Sequence, residues 1–263
     1  MLNIIRADLY RLIRGKCIYI TFILFIAFTC LQTAFPGEVT IGISTELLKE
    51  AVKLPGEVSG SLAPFEVMTY SENIIFFMLS IIFVLTATDF SSGAIKNILA
   101  NGVSRIKLYA SKLILASLFC IIMFTSGIVA SILVATVLNG FGGIITGGYL
   151  LSVWKPFAVQ LLLLIASVGI GTAIIFISKK GSVLNALYIA FFLVPTLIIL
   201  LLMNISGIFE DLMKYDFITN LKLLPNINLI AASDIVRALL VGIAYIAAST
   251  VLGIRIFKKS EIK

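Results

Sequence analysis

The residues that usually carry chemistry are scarce in this chain. Its 263 residues contain no histidine, which removes the commonest general base, the commonest metal ligand and any His-dependent triad. The three cysteines, Cys17, Cys30 and Cys120, are odd in number and scattered through apolar stretches, without the clustering of a zinc site or a disulfide framework. Serines such as Ser80 and Ser126 lie in hydrophobic runs, where no His, Asp or Lys could activate them as nucleophiles. No Gly-x-x-x-x-Gly-Lys-Ser/Thr phosphate loop is present. The sequence therefore predicts no catalytic residues, no bound cofactor and no metal, and it predicts that ATP hydrolysis, if needed, occurs on another chain.

The richest functional signal is the polar segment Asp89–Lys112. Asp89-Phe90 leaves an apolar run, and Ser91 or Ser92 offers an N-cap. Gly93-Ala94-Ile95-Lys96-Asn97-Ile98-Leu99-Ala100 then makes about two helical turns, and Asn101-Gly102 tolerates the left-handed backbone that ends a helix. Ser104 caps the next helix, with Arg105, Lys107 and Lys112 in its opening turns. Ile95, Ile98 and Leu99 form an apolar face too small to bury itself. Spacing alone favours an interfacial connector lying against headgroups, with docking to a protein partner as the other possibility.

The elements that position this segment are apolar. Hydrophobic residues make up 60% and charged residues only 13%, against roughly 25% in soluble domains. Six stretches lack Asp, Glu, Lys and Arg: Cys17–Phe35, Asn73–Thr88, Leu113–Leu138, Phe157–Ser178, Val183–Met203 and Ala238–Ile254. Each approaches the about 20 residues that cross roughly 30 Å of hydrocarbon. The second is short and is expected to begin near Met68, with Glu72 reaching the headgroups. The first is read as an uncleaved helix, because its apolar run exceeds that of a signal peptide. No domain boundary or internal repeat is visible, so residues 1–263 are read as one transmembrane domain.

Charge asymmetry sets the expected orientation. Placing the N-terminus, Asp89–Lys112, Ser178–Val183 and the C-terminus in the cytoplasm puts 14 basic residues and three acids inside, leaving six basic residues and ten acids outside. The +7 formal charge thus reflects a membrane face rather than a nucleic-acid partner. Tyr149 and Trp154 are expected at the outer boundary, and Tyr10 and Tyr109 at the inner one. Leu2–Lys16 reads as an amphipathic surface helix with the stripe Leu2, Ile5, Leu9, Leu12 and Ile13, and with Arg11 and Arg14 opposite; a plain basic anchor is the alternative. Ser44–Leu54 reads as a short external helix, and Asn204–Arg237 as two short helices dipping into the outer leaflet. Small residues spaced by four, such as Gly127, Ser131 and Ala135, or Ser249 and Gly253, predict close helix contacts within the bundle or with another subunit.

No span as delimited above holds an ionisable residue, so a self-powered ion-coupled transporter is disfavoured. The run Asp89-Phe90-Ser91-Ser92-Gly93-Ala94-Ile95-Lys96-Asn97-Ile98-Leu99, followed by Gly102-Val103-Ser104-Arg105 and Tyr109-x-x-Lys112-Leu113, resembles the loop between the second and third spans of ABC-2 type transporter permeases. The group it looks most like is the small permeases of bacitracin and lantibiotic self-immunity. The resemblance extends in outline over the whole chain.

That likeness implies an all-α membrane protein of six transmembrane helices. It implies an N-terminal surface helix, a cytoplasmic coupling helix and re-entrant external helices before the last span. It implies a permease subunit of an ATP-driven exporter in a bacterial plasma membrane, moving an amphiphilic substrate such as a peptide antibiotic. The implied partners are a cytoplasmic ABC ATPase subunit, a second permease copy or homologous permease, and the lipid membrane. Gly93, Ala94, Ile95, Lys96, Asn97, Ile98 and Leu99 would form the docking helix, with Ile95, Ile98 and Leu99 as apolar contacts and Lys96 and Arg105 at the polar rim. The resemblance tips the reading of this loop towards docking. A non-transporting polytopic scaffold or sensor subunit is the alternative function.

Overall fold

The computed structural model describes residues 1–35, 58–203, 208–226 and 231–260. Helix is the dominant element, and no strand occurs among the described residues. Helix α1 (Leu2–Arg14) precedes α2 (Lys16–Ala34). A short α3 (Ala63–Thr69) turns into α4 (Glu72–Ser91). Then come the short α5 (Ala94–Ala100) and the long α6 (Arg105–Asn139) and α7 (Gly147–Ser178). Helix α8 (Gly181–Met203) leads to the short α9 (Ile208–Met213) and α10 (Phe217–Leu223), a 3-10 turn at Leu224–Asn226, and α11 (Ala232–Lys259).

Six of these, α2, α4, α6, α7, α8 and α11, are long and apolar enough to cross a bilayer. At 1.5 Å per residue, the 20 residues of α4 reach about 30 Å, one hydrocarbon thickness. The 35 residues of α6 continue well past that on any reasonable tilt. With a backbone bonded internally and large side chains such as Leu201, Leu240 and Ile243 exposed, this is the architecture of a polytopic membrane protein.

Helix α7 is the centre, with α11 lying along it and α4, α6 and α8 around it, while α2 packs on α6. Small residues set these approaches. A side chain at Gly169 would meet Ser249 Oγ at 2.8 Å, and one at Gly253 would meet the Tyr109 ring at 2.8 Å. Gly127 lies under Phe25, Ser131 bonds Thr33 Oγ at 2.8 Å, and Ala135 packs beside Val58 and Ala63. The small-residue stripes therefore serve packing inside this chain.

Several expectations need correction. The second span starts at Glu72, not near Met68, because the backbone breaks at Tyr70–Ser71 and leaves α3 as a separate helix. Glu72 does not reach the headgroups; it is buried, with Oε1 2.8 Å from Lys222 Nζ of α10. Tyr109 is fully buried in the core rather than part of an aromatic belt, whereas Tyr10 and Trp154 are exposed. Two short helices do occupy the stretch before the last span. The helix expected at Ser44–Leu54 lies outside the described residues.

Candidate functional site

Helix α5 is held at the end of the bundle that carries α1 and the last turn of α11. Two glycines bracket it: Gly93 is its N-cap with φ +73°, and Gly102 follows it with φ +80°. Neither Ser91 nor Ser92 caps it, since Ser91 Oγ bonds Thr88 O at 2.9 Å and Gly93 takes the capping position. Ser104 does cap α6, accepting from Lys107 N.

The burial pattern gives α5 two faces. Ile95 is 1% exposed and belongs to the chain's own core, with Ile98 and Leu99 packed against that core and half-buried. Lys96, Asn97 and Ala100 are exposed, as are Asn101 and Gly102 beyond the helix. Gly93 and Ala94 are intermediate. Ile95 thus anchors the helix inward, and the surface left exposed is the polar side with Ile98 and Leu99 at its edge. Arg105 is committed elsewhere. Its Nη1 donates to the carbonyls of Phe257, Lys258 and Ser260 at 2.7, 2.9 and 2.6 Å, closing the C-terminus of α11.

Behind α5 lies a network that the sequence reading missed. Lys112 is fully buried, its Nζ 2.5 Å from Asp89 Oδ2, 2.8 Å from Asp8 Oδ2 and 3.1 Å from the Leu85 carbonyl. Arg11 pairs with Asp89 through both Nη atoms, and its Nη2 also reaches Asp8 Oδ1 at 3.3 Å and the Leu85 carbonyl at 3.2 Å. Arg11 is exposed, as its place opposite the apolar stripe requires, yet its guanidinium reaches inward to these acids. The inward face of α1 comprises Ile4, Ile5, Asp8, Leu9 and Leu12, while Leu2 and Ile13 of the expected stripe are exposed.

Two acids and two bases make this cluster neutral, which is the condition for burying charge at low dielectric. Burial would lower the Arg11 pKa, but the hydrogen bond to Asp89 and the charges of both acids hold it above the ordinary value. The shared acceptor, Leu85, sits in a π-helical turn at Phe83–Ala87. Such wide turns are often found at functional sites. A sequence signal was available: Asp8 and Asp89 are the acids described at the strongly basic end, and Asp8 stands three residues before Arg11.

An aromatic cluster completes the support. Phe90, Tyr109, Phe176 and Phe257 come from α4, α6, α7 and α11, with centroids 4.7 to 6.5 Å apart. These rings and the charge cluster tie α1, α4, α6, α7 and α11 into one block beneath which α5 projects. Among the described residues, no three His, Cys, Asp or Glu side chains group to hold a metal ion.

At the opposite end, the α3–α4 corner gathers polar groups of another kind. Gln160 of α7 is fully buried, with Nε2 2.6 Å from the Met68 carbonyl, 2.6 Å from Ser71 Oγ and 3.0 Å from the Leu221 carbonyl. Glu66, Glu72, Ser71 and Asn73 are buried beside one another in sequence. Asp216, at the start of α10, accepts from Thr196 Oγ and from the Thr219 amide at 3.0 Å, fastening α10 to α8. The long helices thus carry buried ionisable groups near their ends (Glu72, Asp89 and Lys112), each just beyond the charge-free stretches read from the sequence.

A comparison of the chain with protein-family models and with curated proteins finds no match.

Proposed function

We propose that this chain is the membrane-spanning permease subunit of an ATP-driven exporter, docked through α5 to a separate cytoplasmic ATP-binding-cassette ATPase. In this reading both termini face the cytoplasm of a bacterial plasma membrane, α1 lies along the inner surface, and α9 and α10 are re-entrant helices of the outer side. Two permease copies, identical or homologous, would assemble with two ATPases. The cargo would be amphiphilic, a peptide antibiotic being the class suggested by the sequence resemblance.

The observation that carries the reading is mechanical. Helix α5 is a two-turn projection with a polar outer face of Lys96, Asn97 and Ala100, and its inner residue Ile95 is locked into the core. A connector that merely lay on headgroups would have no need of the neutral four-charge anchor behind it, which costs desolvation to build. A lever does need one, because a force delivered to a loosely held loop would be dissipated locally.

The test is to co-express the chain with candidate cassette ATPases from the same genome and measure association and ATP turnover. Lys96→Glu combined with Asn97→Asp should weaken association and stimulation at least tenfold while leaving thermal stability unchanged. Unaltered association and stimulation would refute docking at α5. Association without any stimulation of turnover would favour the non-transporting scaffold instead.

A further inference from the structure

The α3–α4 corner contains a carboxyl group with no hydrogen-bond partner and no salt bridge among the described residues. Glu66 is 1% exposed, and neither Oε1 nor Oε2 has a hydrogen-bond partner. Its helix is wedged into the bundle: the Ala63 carbonyl accepts from Ser131 Oγ of α6 at 3.3 Å, Val67 lies over Gly127, and the backbone turns at Tyr70–Ser71 into α4.

Among the described residues, the neighbouring elements offer Glu66 no cation. Helix α6 carries no Asp, Glu, Lys or Arg between Lys112 and its end at Asn139. The only charge on α2 is Lys16 at the other end of that helix, its remaining titratable groups being Cys17, Tyr19 and Cys30. On α7, Lys155 is exposed and Tyr149 donates to the Ser61 carbonyl at 3.1 Å. On α10, Lys222 is taken by Glu72 and the capping Asp216 by Thr196 and Thr219. Along the chain stand Tyr70 and Glu72, and the Tyr70 pKa is raised by burial and then by the charges of Glu66 and Glu72.

A carboxylate left ionised and unpartnered in such a place is strongly disfavoured, whereas a neutral carboxyl is tolerated. We propose that Glu66 is a proton-binding site whose neutral form keeps the α3–α4 corner packed and whose ionised form releases it. Burial alone pushes this carboxyl from 4.5 up to about 7. That gap corresponds to proton binding tighter by roughly a hundredfold or more in the packed corner than in water. The sign follows from the raised value. Packing at the corner is strongest at low pH, weakens as pH rises from 4.5 towards about 7, and above that the group is ionised even where it is packed. The site does not depend on the transport reading; if that reading holds, it places a sensor of external acidity on the outer side of the permease.

The experiment uses the whole chain in lipid nanodiscs with glutamate isotope-labelled, and follows the neutral-carboxyl infrared band as pH is stepped from about 5 to about 9. Amide hydrogen exchange across Ala63–Asn73 is measured alongside, after correction for the intrinsic rate. A glutamate carboxyl band should disappear with a midpoint near 7, be absent in Glu66→Gln and persist in Glu72→Gln. Exchange at the corner should rise through the same midpoint in the unmodified chain and be independent of pH in Glu66→Gln. Absence of a glutamate band titrating near 7 would overturn the proposal, and so would its persistence in Glu66→Gln. A titrating band without change in exchange would overturn the release of the corner. The labelled unmodified chain decides the protonation even if Glu66→Gln does not fold.

Discussion

The two ends of the bundle solve the burial of polar groups in opposite ways. At the end carrying α1 and the close of α11, Asp8, Arg11, Asp89 and Lys112 match in number and sign and pair with one another and the Leu85 carbonyl, Asp8 Oδ2 being held by the Lys112 charge without a hydrogen bond. At the other end, among the described residues, Glu66 has no partner, Asn73 has no hydrogen bond for either side-chain polar atom, and Glu72 Oε2 and Gln160 Oε1 also have none. Matched charges cost little once assembled and much to break, which suits a part that transmits force. Unmatched polar atoms leave a region close in energy to its loosened forms, which suits a part that must move.

The largest test of this contrast is Lys112→Met. It removes the central cation and leaves two buried acids facing one guanidinium, and loss of one partner from a buried pair costs about 3–5 kcal/mol. Thermal unfolding in detergent should report that loss, and adding Asp89→Asn to Lys112→Met should return part of it. If the single variant were as stable as the parent, the cluster would not be the anchor assigned to it. Gln160→Leu probes the opposite end. It removes the donor to the Met68 carbonyl and Ser71 Oγ, and buried acceptors left without a donor cost about 1–3 kcal/mol. Exchange protection at the α3–α4 corner should fall while that of α5 stays as it is.

Next in size is Gly253→Ala. The new methyl group would fall 2.6 Å from the Tyr109 hydroxyl and 2.8 Å from its ring, and Tyr109 is already packed against Phe176. Overpacking of that kind costs about 1–3 kcal/mol. Tyr109→Leu added to Gly253→Ala should recover part of it, because it removes the atoms that collide.

Much of the fold was legible because membrane helices announce themselves by composition. The six apolar runs need no tertiary information to be found, and their centres agree with the observed helices. The ends were harder. A stretch free of charge was taken to delimit each span, yet Glu72, Asp89 and Lys112 lie inside the observed helices, buried against partners from distant parts of the chain. Sequence spacing shows which side chains share a helix face, but it does not show that Asp8 and Lys112, more than a hundred positions apart, will meet. The α5 helix was visible from its length and its Asn101-Gly102 stop, although Gly93 rather than a serine is its N-cap. Which of its faces points inward was not, because Ile95, Ile98 and Leu99 look alike until the neighbouring helices are in place. Arg105 likewise reads as a free basic residue until the end of α11 arrives beside it.

The smallest and sharpest prediction concerns Gly93, where the backbone turns from α4 into α5. A methyl group there meets nothing within 4 Å, so no packing effect confuses the measurement. What remains is conformation: φ is +73°, a region where a Cβ atom costs about 1–2 kcal/mol. Asn tolerates that region better than Ala because its short side chain can bond locally. Gly93→Ala should therefore lower stability by about 1 kcal/mol and Gly93→Asn by less. If instead α5 rotated to relieve the strain, Lys96 and Asn97 would no longer face outward, and labelling of a cysteine placed at position 97 would slow. Equal stability of Gly93→Ala and the parent, with unchanged labelling, would mean that the turn into α5 is not set by left-handed backbone, and the rigid attachment of the projecting helix would then have to come from Ile95 alone.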